Sequence, residues 1–436
     1  MISSGNIPPV CYDVRVKALT PGQAHLSISN TIMIRNIPIS DAVSALLSCT
    51  PPLSREEVPL DEAVGRVLAV SLQARVDLPP FHRSAYDGYA LLSAATAHAS
   101  EHAPAAFRIT DTVTAGDCCR TPLEEGCCVR IMTGAPLPEG ADCVINFECV
   151  TRKDDTLFLK QPLYPGQNVD RRGDEICCGA PLLEKGERLT PAHIGILASH
   201  GYDHVTVYRK MRAAVLSTGS ELLSPGQPLS PGKIYDSNLH VFRALLKQEG
   251  CGSLCCRHAA DEEDTICRAL LELAPGTDLI VTTGGASVGD KDYISRALEK
   301  AGARILFSHV SMKPGSCCLG AKLGNCLIVS LSGNPGAALT SWFLIALPAV
   351  RKLSGQSDYA LREMVLPLAD TWRKTCPCPR ILKGHIETTG NTAHFVAHDG
   401  QKNSMQTSFL HMNALAELPP SDTPLPAGTP VRVVLP

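Results

Sequence analysis

"LIVTTGGASVGDKDY", Leu279 to Tyr293, starts as an unbroken apolar run and ends as the opening of a helix. Between the two it sets glycines at Gly284, Gly285 and Gly289, hydroxyls at Thr283 and Ser287, and carboxylates at Asp290 and Asp292. Glycine serves where the backbone takes positive φ or approaches a ligand closely. Strand, glycine turn and helix in that order form the unit of a parallel sheet, and the order recurs around this stretch. "AAVLSTG", "GSLCCRH" and "ARILFSHV" read as strands; "DSNLHVFRALLKQEG", "DEEDTICRALLELAPG" and "DYISRALEKAG" read as helices. The first helix has Asp or Ser at its N-cap and Gly250 beyond its end, and acids crowd the first turn of the second. "NCLIVSLSGNPGAALTSWFLIALPAVRKL" repeats the pattern once more. Continuous apolar strands alternating with amphipathic helices predict a mainly parallel, three-layer α/β domain over residues 211–356.

Ligands of such sheets sit beyond the carboxyl ends of the strands. "STGSE", "TTGGASVGD" and "SGNPG" all follow strands and are expected to open on one edge. Backbone N–H groups and helix N-termini there favour an anion such as phosphate. The central loop is not a Walker loop, since no Gly-Lys-Ser/Thr follows, and its glycines lack the dinucleotide spacing. Carboxylates repel phosphate unless a divalent cation lies between them, so Glu221, Asp236 and Asp292 point to bridging by Mg²⁺.

The remaining chain is less regular. Residues 33–72 and 176–210 read as a mixed α/β linker domain, with helical patterns in "SDAVSALLSC", "PLDEAVGRVLA" and "LTPAHIGILASHG". Short Gly-, Pro-, Thr- and Val-rich runs over 73–175 predict a β-rich domain. Residues 357–436, with "RILKGHIE", "AHFVAH" and "PVRVVLP", predict a C-terminal β barrel or sandwich. Residues 1–32 lack periodicity and read as an N-terminal extension, disordered or arising from a mis-assigned start. "SAYDGYA" (Ser84–Ala90) holds Asp87 in a stiff turn, and "RIMTGAPLPEGADCVI" (Arg130–Ile145) adds Thr133 before a glycine and two prolines.

At 436 residues, two to four domains are expected. A net charge of −3 supplies no basic field for nucleic acid or an anionic membrane surface. No apolar run approaches the roughly 20 residues that span a bilayer, and the N-terminus lacks the order of a secretory signal. A cytoplasmic location follows as the expectation. Nineteen cysteines include five adjacent pairs, 118–119, 127–128, 177–178, 255–256 and 317–318. Neighbours on a strand face opposite ways, so reduced thiols used as small hydrophobes are the expected reading.

Taken in order, "SAYDGYA", "RIMTGAPLPEGAD", "NVDRRGDEI", "STGSEL", "GKIYDSN", "TTGGASVGDKDY", "MKPG" and "SGNP" resemble the molybdopterin molybdenumtransferases, the MoeA and gephyrin E-domain family, from about Ile37 to Pro436. The resemblance implies four domains in an elongated homodimer. It also implies cleavage of adenylylated molybdopterin with molybdate as substrate, releasing AMP, and the adenylyltransferase as a further partner protein. By the same resemblance Asp87 and Thr133 belong to a wall supplied by the partner subunit. Glu221, Asp236 and Asp292 form the Mg²⁺-linked part. Gly219, Gly284, Gly285, Ser287 and Gly289 cradle phosphate, Lys313 meets anionic oxygen, and Ser332, Gly333, Asn334 and Pro335 shape the floor. The chain departs from the family where His309 and Ser316 replace lysines, Cys317 and Ser332 replace prolines, Glu175 stands for an aspartate and Asn403 for a serine. Most of these changes fall on the molybdate side, so His309 and Ser316 are candidate contacts to the oxyanion. Two alternatives stay open: a non-catalytic relative that binds molybdopterin or scaffolds partners, and an enzyme for another oxyanion such as tungstate.

Overall fold

The computed structural model describes residues 35–285 and 292–436. Ser287, Gly289, Asp290 and the segment 1–32 lie outside the described residues.

The central region contains β1 (Arg35–Ile37), α1 (Ile39–Ser48), β2 (Arg212–Thr218), α2 (Ser237–Gln248), β3 (Ser253–Ala259), α3 (Glu263–Leu273), β4 (Leu279–Thr283), α4 (Tyr293–Lys300), β5 (Arg304–Val310), β6 (Leu319–Leu323), β7 (Cys326–Leu331) and α5 (Pro335–Ser341). Its seven strands lie in the order β1-β5-β6-β7-β4-β2-β3. Every pairing is parallel except those of β6, which runs antiparallel to β5 and β7. The apolar runs are continuous because both sheet faces are covered. Ala213, Val215, Leu279, Val281, Leu327 and Val329 pack on one side with Phe242 of α2 and Trp342. Ala214, Leu216, Ile280 and Ile328 pack on the other with Ile266 and Leu270 of α3 and Ile294 and Leu298 of α4. Each such large side chain contributes roughly 1.5–3 kcal/mol on burial.

One boundary differs from the expected map. β1 and α1 fall in the segment assigned to the linker, yet β1 pairs with β5 through Arg35↔Ser308 and Ile37↔Val310. The helix pattern explains the attachment. Ile39, Ala42 and Leu46 form one apolar stripe, and it enters the same core as Phe307 and Trp342.

Beyond this region, Arg55–Pro59 pairs with His204–Tyr208, and Val58, Leu68, Leu183, Leu197 and Val207 share a small core. Residues 88–159 supply a six-stranded sheet, and residues 362–435 a five-stranded antiparallel one. A bridge between Leu368 and Phe395 draws the edges of the latter together, curling it toward a barrel. Among the described residues no helix is long and apolar enough to cross a membrane.

Before the amino end of β4, Asp278 accepts from both terminal nitrogens of Arg209, each at 2.7 Å, and from the Arg212 N–H at 2.8 Å. Burial pushes its carboxyl up, but the Arg209 and Arg212 contacts prevail and hold it below the ordinary aspartate range. A depressed folded-state value adds stability above the unfolded value, and that stability disappears as pH falls through the folded one. Asp278→Asn is therefore expected to cost about 2 kcal/mol at neutral pH. The deficit should shrink to nothing well below about pH 4. Denaturant unfolding followed by tryptophan fluorescence, with Trp342 in the core, measures both.

Candidate functional site

Four adjacent parallel strands, β7, β4, β2 and β3, end on one edge of the sheet, and the loops leaving them enclose a cleft of about 570 Å³. Glu221 follows β2, Asp261 follows β3, Gly284 and Gly285 follow β4, and Gly333 and Asn334 follow β7. That size accommodates an organic ligand of cofactor dimensions. Another hollow of about 540 Å³, between α1 and the C-terminal sheet, is lined largely by apolar residues such as Val43, Leu47 and Leu344, which suits no phosphate.

The turns are stitched tightly. A Cβ on Gly284 would stand 2.2 Å from the Thr218 carbonyl oxygen, and one on Gly333 would stand 3.3 Å from the Gly284 Cα. Gly284 and Gly285 have φ of +90° and +63°, values L side chains rarely adopt. Asn238 Nδ2 of α2 donates to the Gly333 carbonyl at 2.9 Å. The C-terminal domain closes one wall: Gln406 Nε2 donates to Ser237 Oγ at 2.7 Å, and the Ala337 N–H donates to the Asn403 carbonyl at 3.0 Å. Gly336 permits that approach, since a Cβ there would lie 2.7 Å from two carbonyl oxygens of the 403–405 loop.

Eight sequence-derived candidates line this cleft: Glu221, Asp236, Gly284, Gly285, Ser332, Gly333, Asn334 and Pro335. Gly219 sits between two lining positions, and its own Cβ position would be 2.9 Å from both Glu221 carboxylate oxygens. Asp236 caps α2, its Oδ1 accepting from the Leu239 N–H at 3.0 Å. Ser332 Oγ accepts from the Asn334 N–H at 3.2 Å.

The other candidates are elsewhere. Asp292 caps α4, accepting from the Ser295 N–H at 3.3 Å and from Ser295 Oγ at 2.7 Å. It faces a second, small cavity with Ser308, His309 and Cys317. His309 takes φ +62°, and its Nε2 is buried without a hydrogen-bond partner. Lys313 and Ser316 are exposed on the loop after β5. Asp87 and Thr133 meet in the β-rich sheet region, where the Thr133 N–H and Oγ1 both donate to Asp87 Oδ1 at 2.8 Å. These two bonds, with the nearby Arg130 charge, hold the Asp87 carboxyl below its ordinary range.

The expected trio of Glu221, Asp236 and Asp292 is thus split between two cavities. No group of three metal-binding side chains stands close enough to hold an ion among the described residues. Asp261 is the acid that the sequence reading passed over. Its Oδ1 is buried without a partner, as is Oγ1 of Thr218, another residue of the cleft lining. Buried polar atoms are normally satisfied, so the Asp261 oxygen is free to accept from a ligand in the cleft. Mg²⁺ characteristically binds through one or two carboxylates plus substrate phosphates rather than an all-protein cage. Glu221, Asp236 and Asp261 fit that use without forming a closed site.

Parallel strand ends and glycine turns together give a cleft of the class that suits phosphorylated ligands. Comparison with known proteins makes the assignment specific. Residues 37–201 match the family model for the "MoeA N-terminal region (domain I and II)", and 214–352 match the "Probable molybdopterin binding domain". The chain is 31% identical over 399 residues to a molybdopterin molybdenumtransferase of Staphylococcus aureus, covering 92% of this chain and 95% of that one. It is 33% identical over 403 residues to the enzyme of that name from Staphylococcus epidermidis, with the same coverage. A crystal structure of a molybdopterin biosynthesis MoeA protein from Pyrococcus horikoshii OT3 superposes with a TM-score of 0.77 at 27% identity, over 92% of this chain and all of that one. The chain belongs to the molybdopterin molybdenumtransferase family of molybdenum cofactor biosynthesis.

Proposed function

We propose that the chain inserts molybdate into adenylylated molybdopterin and releases AMP, acting as a cytoplasmic homodimer. The observation that carries this reading is the cleft at the ends of β7, β4, β2 and β3, whose lining includes both the Gly284–Gly285 turn and the unpaired Asp261 oxygen. Breaking a phosphoanhydride needs positioning and charge neutralisation more than a strong protein nucleophile. The glycine turns remove side-chain bulk where the phosphates lie, and Asn238 fixes the Gly333 turn opposite them. One or two of the carboxylates Glu221, Asp236 and Asp261 would hold Mg²⁺ together with the substrate phosphates, and the ion would supply neutralisation of phosphate charge when bound. Asp292 and His309 flank the small neighbouring cavity, and Lys313 and Ser316 the loop beside it, as the side from which the oxyanion approaches.

Purified protein given adenylylated molybdopterin, Mg²⁺ and molybdate should release AMP. No AMP at any molybdate concentration would remove the enzymatic reading and leave the binding or scaffolding one. Tungstate in place of molybdate tests the choice of oxyanion.

Asp87 and Thr133 do not line the cleft of their own chain, which supports their acting across a dimer. Asp87→Asn and Asp261→Asn homodimers are each expected to be nearly inactive. Refolded or co-expressed together, half the dimers pair one of each, and one of their two sites is intact. Activity should return to about a quarter of wild type. An inactive mixture whose mixed dimers are verified by mass would exclude a shared site.

A further inference from the structure

Cys376 and Cys378 flank Pro377, and their sulfurs lie 3.6 Å apart in a hydrogen-bonded contact. The five adjacent cysteine pairs, which the sequence makes conspicuous, are arranged differently. Cys119 donates to Asp111 and to the Thr121 carbonyl, while Cys177 and Cys178 donate to the carbonyls of Gly173 and Arg75. The 376–378 segment is also held on both sides. Cys376 exchanges backbone hydrogen bonds with Ser421 at 3.0 and 2.9 Å, and the Pro379 carbonyl accepts from the Lys313 N–H at 2.9 Å. Pro377 and Pro379 fix two further φ angles. The thiols are therefore kept face to face rather than meeting by chance, which raises their effective concentration toward one another.

From this geometry we propose that Cys376 and Cys378 form a reversible dithiol–disulfide exchange site whose substrate class is a low-molecular-weight disulfide. The inference is independent of the molybdate chemistry. Cys378 is partly exposed and Cys376 is only 4% exposed, so a small disulfide reaches Cys378. The Cys378 thiolate attacks one sulfur of that disulfide, giving a mixed disulfide and one released thiolate. The Cys376 thiolate then attacks the Cys378 sulfur and expels the second thiolate. The protein gives up two electrons and two protons, and the external disulfide becomes two thiols. Closing the bond needs a sulfur movement of about 1.5 Å, from the observed contact to a bond of about 2.05 Å.

Burial opposes ionisation of both thiols; hydrogen bonds from Cys378 and the charges of Arg380 and Lys313 nonetheless hold the Cys376 thiol below the usual value, while burial and the neighbouring Cys376 hold the Cys378 thiol above it. A thiolate fraction is what exchange requires. No third metal-binding side chain accompanies the pair among the described residues, so the site suits exchange better than a four-coordinate ion.

The sequence supplies a clean readout, because trypsin releases Thr375–Arg380, which contains these two cysteines and no other. Full-length reduced protein is incubated with oxidised glutathione, free thiols are alkylated, and the fragment is weighed. The expected fragment carries no alkyl group, is two hydrogens lighter than the reduced form, and reverts with dithiothreitol. In Cys376→Ser the resolving thiol is gone, and glutathione should remain attached at Cys378. A wild-type fragment that stays doubly alkylated would overturn the proposal. So would a wild-type fragment that accumulates the glutathione adduct as Cys376→Ser does.

Discussion

Gly284→Ala is expected to lower AMP release by at least about a hundredfold while leaving the protein folded. A methyl group there would stand 2.2 Å from the Thr218 carbonyl oxygen and 2.8 Å from Thr218 Oγ1. Thr218 ends β2 and Gly284 leaves β4, and the two strands are paired up to Ser217↔Thr283. Relief therefore requires parting the two strand ends that form the cleft floor. The φ of +90° adds strain of order 1–3 kcal/mol for any L side chain. The Thr218–Gly284 contact lies at the strand ends, beyond the last paired residues, so the damage should stay at the edge. Gly276→Ala is the control. It has a similar φ of +77° with no atom within 4 Å of the added Cβ. It should lose about 1 kcal/mol of stability and keep its activity. Equal activity in the two variants would show that the turn does not shape the site.

The α/β region was legible because its strands are apolar on both faces and its helices carry caps, as Asp236 and Asp292 illustrate. Two strands escaped for physical reasons. β6, "LGAKL", is short and turns back into β7 through Gly324 at φ +59°; its weak pattern merges with the run that follows. β1 has three residues, and its partner strand lies some 270 residues along the chain, where no local signal reaches. The site divides in a similar way. Glycine turns after strands are visible because backbone conformation demands the residue type. Carboxylates are not, since an aspartate near a helix start serves equally as cap or ligand. Asp292 attracted attention by standing next to the glycine loop, yet both its oxygens bond Ser295. Asp261 looked like one more acid at the head of α3. Its importance emerges only once β3 is placed beside β2, with its end on the same edge.

Asp261→Asn is expected to reduce kcat for AMP release by about a hundred- to a thousandfold, equivalent to about 3–4 kcal/mol of transition-state stabilisation. Stability should be unchanged. The reasoning rests on where the charge is spent. Asp261 Oδ1 has no hydrogen-bond partner although it is shielded from water. Converting the carboxylate to an amide of nearly the same shape therefore removes no internal bond at that oxygen. What disappears is the negative charge available to a cation bridging to phosphate. Asp278 provides the opposite case, since its carboxylate is fully used by Arg209 and Arg212 far from the cleft. Asp278→Asn should lower stability and leave kcat and KM alone, whereas Asp261→Asn should lower kcat and leave the melting transition alone. Raising Mg²⁺ ought to recover part of the Asp261→Asn activity if the lost interaction is cation binding. Loss of stability in Asp261→Asn, or activity within a few-fold of wild type, would mean that the unpaired oxygen faces a solvent-filled recess rather than the reacting phosphates.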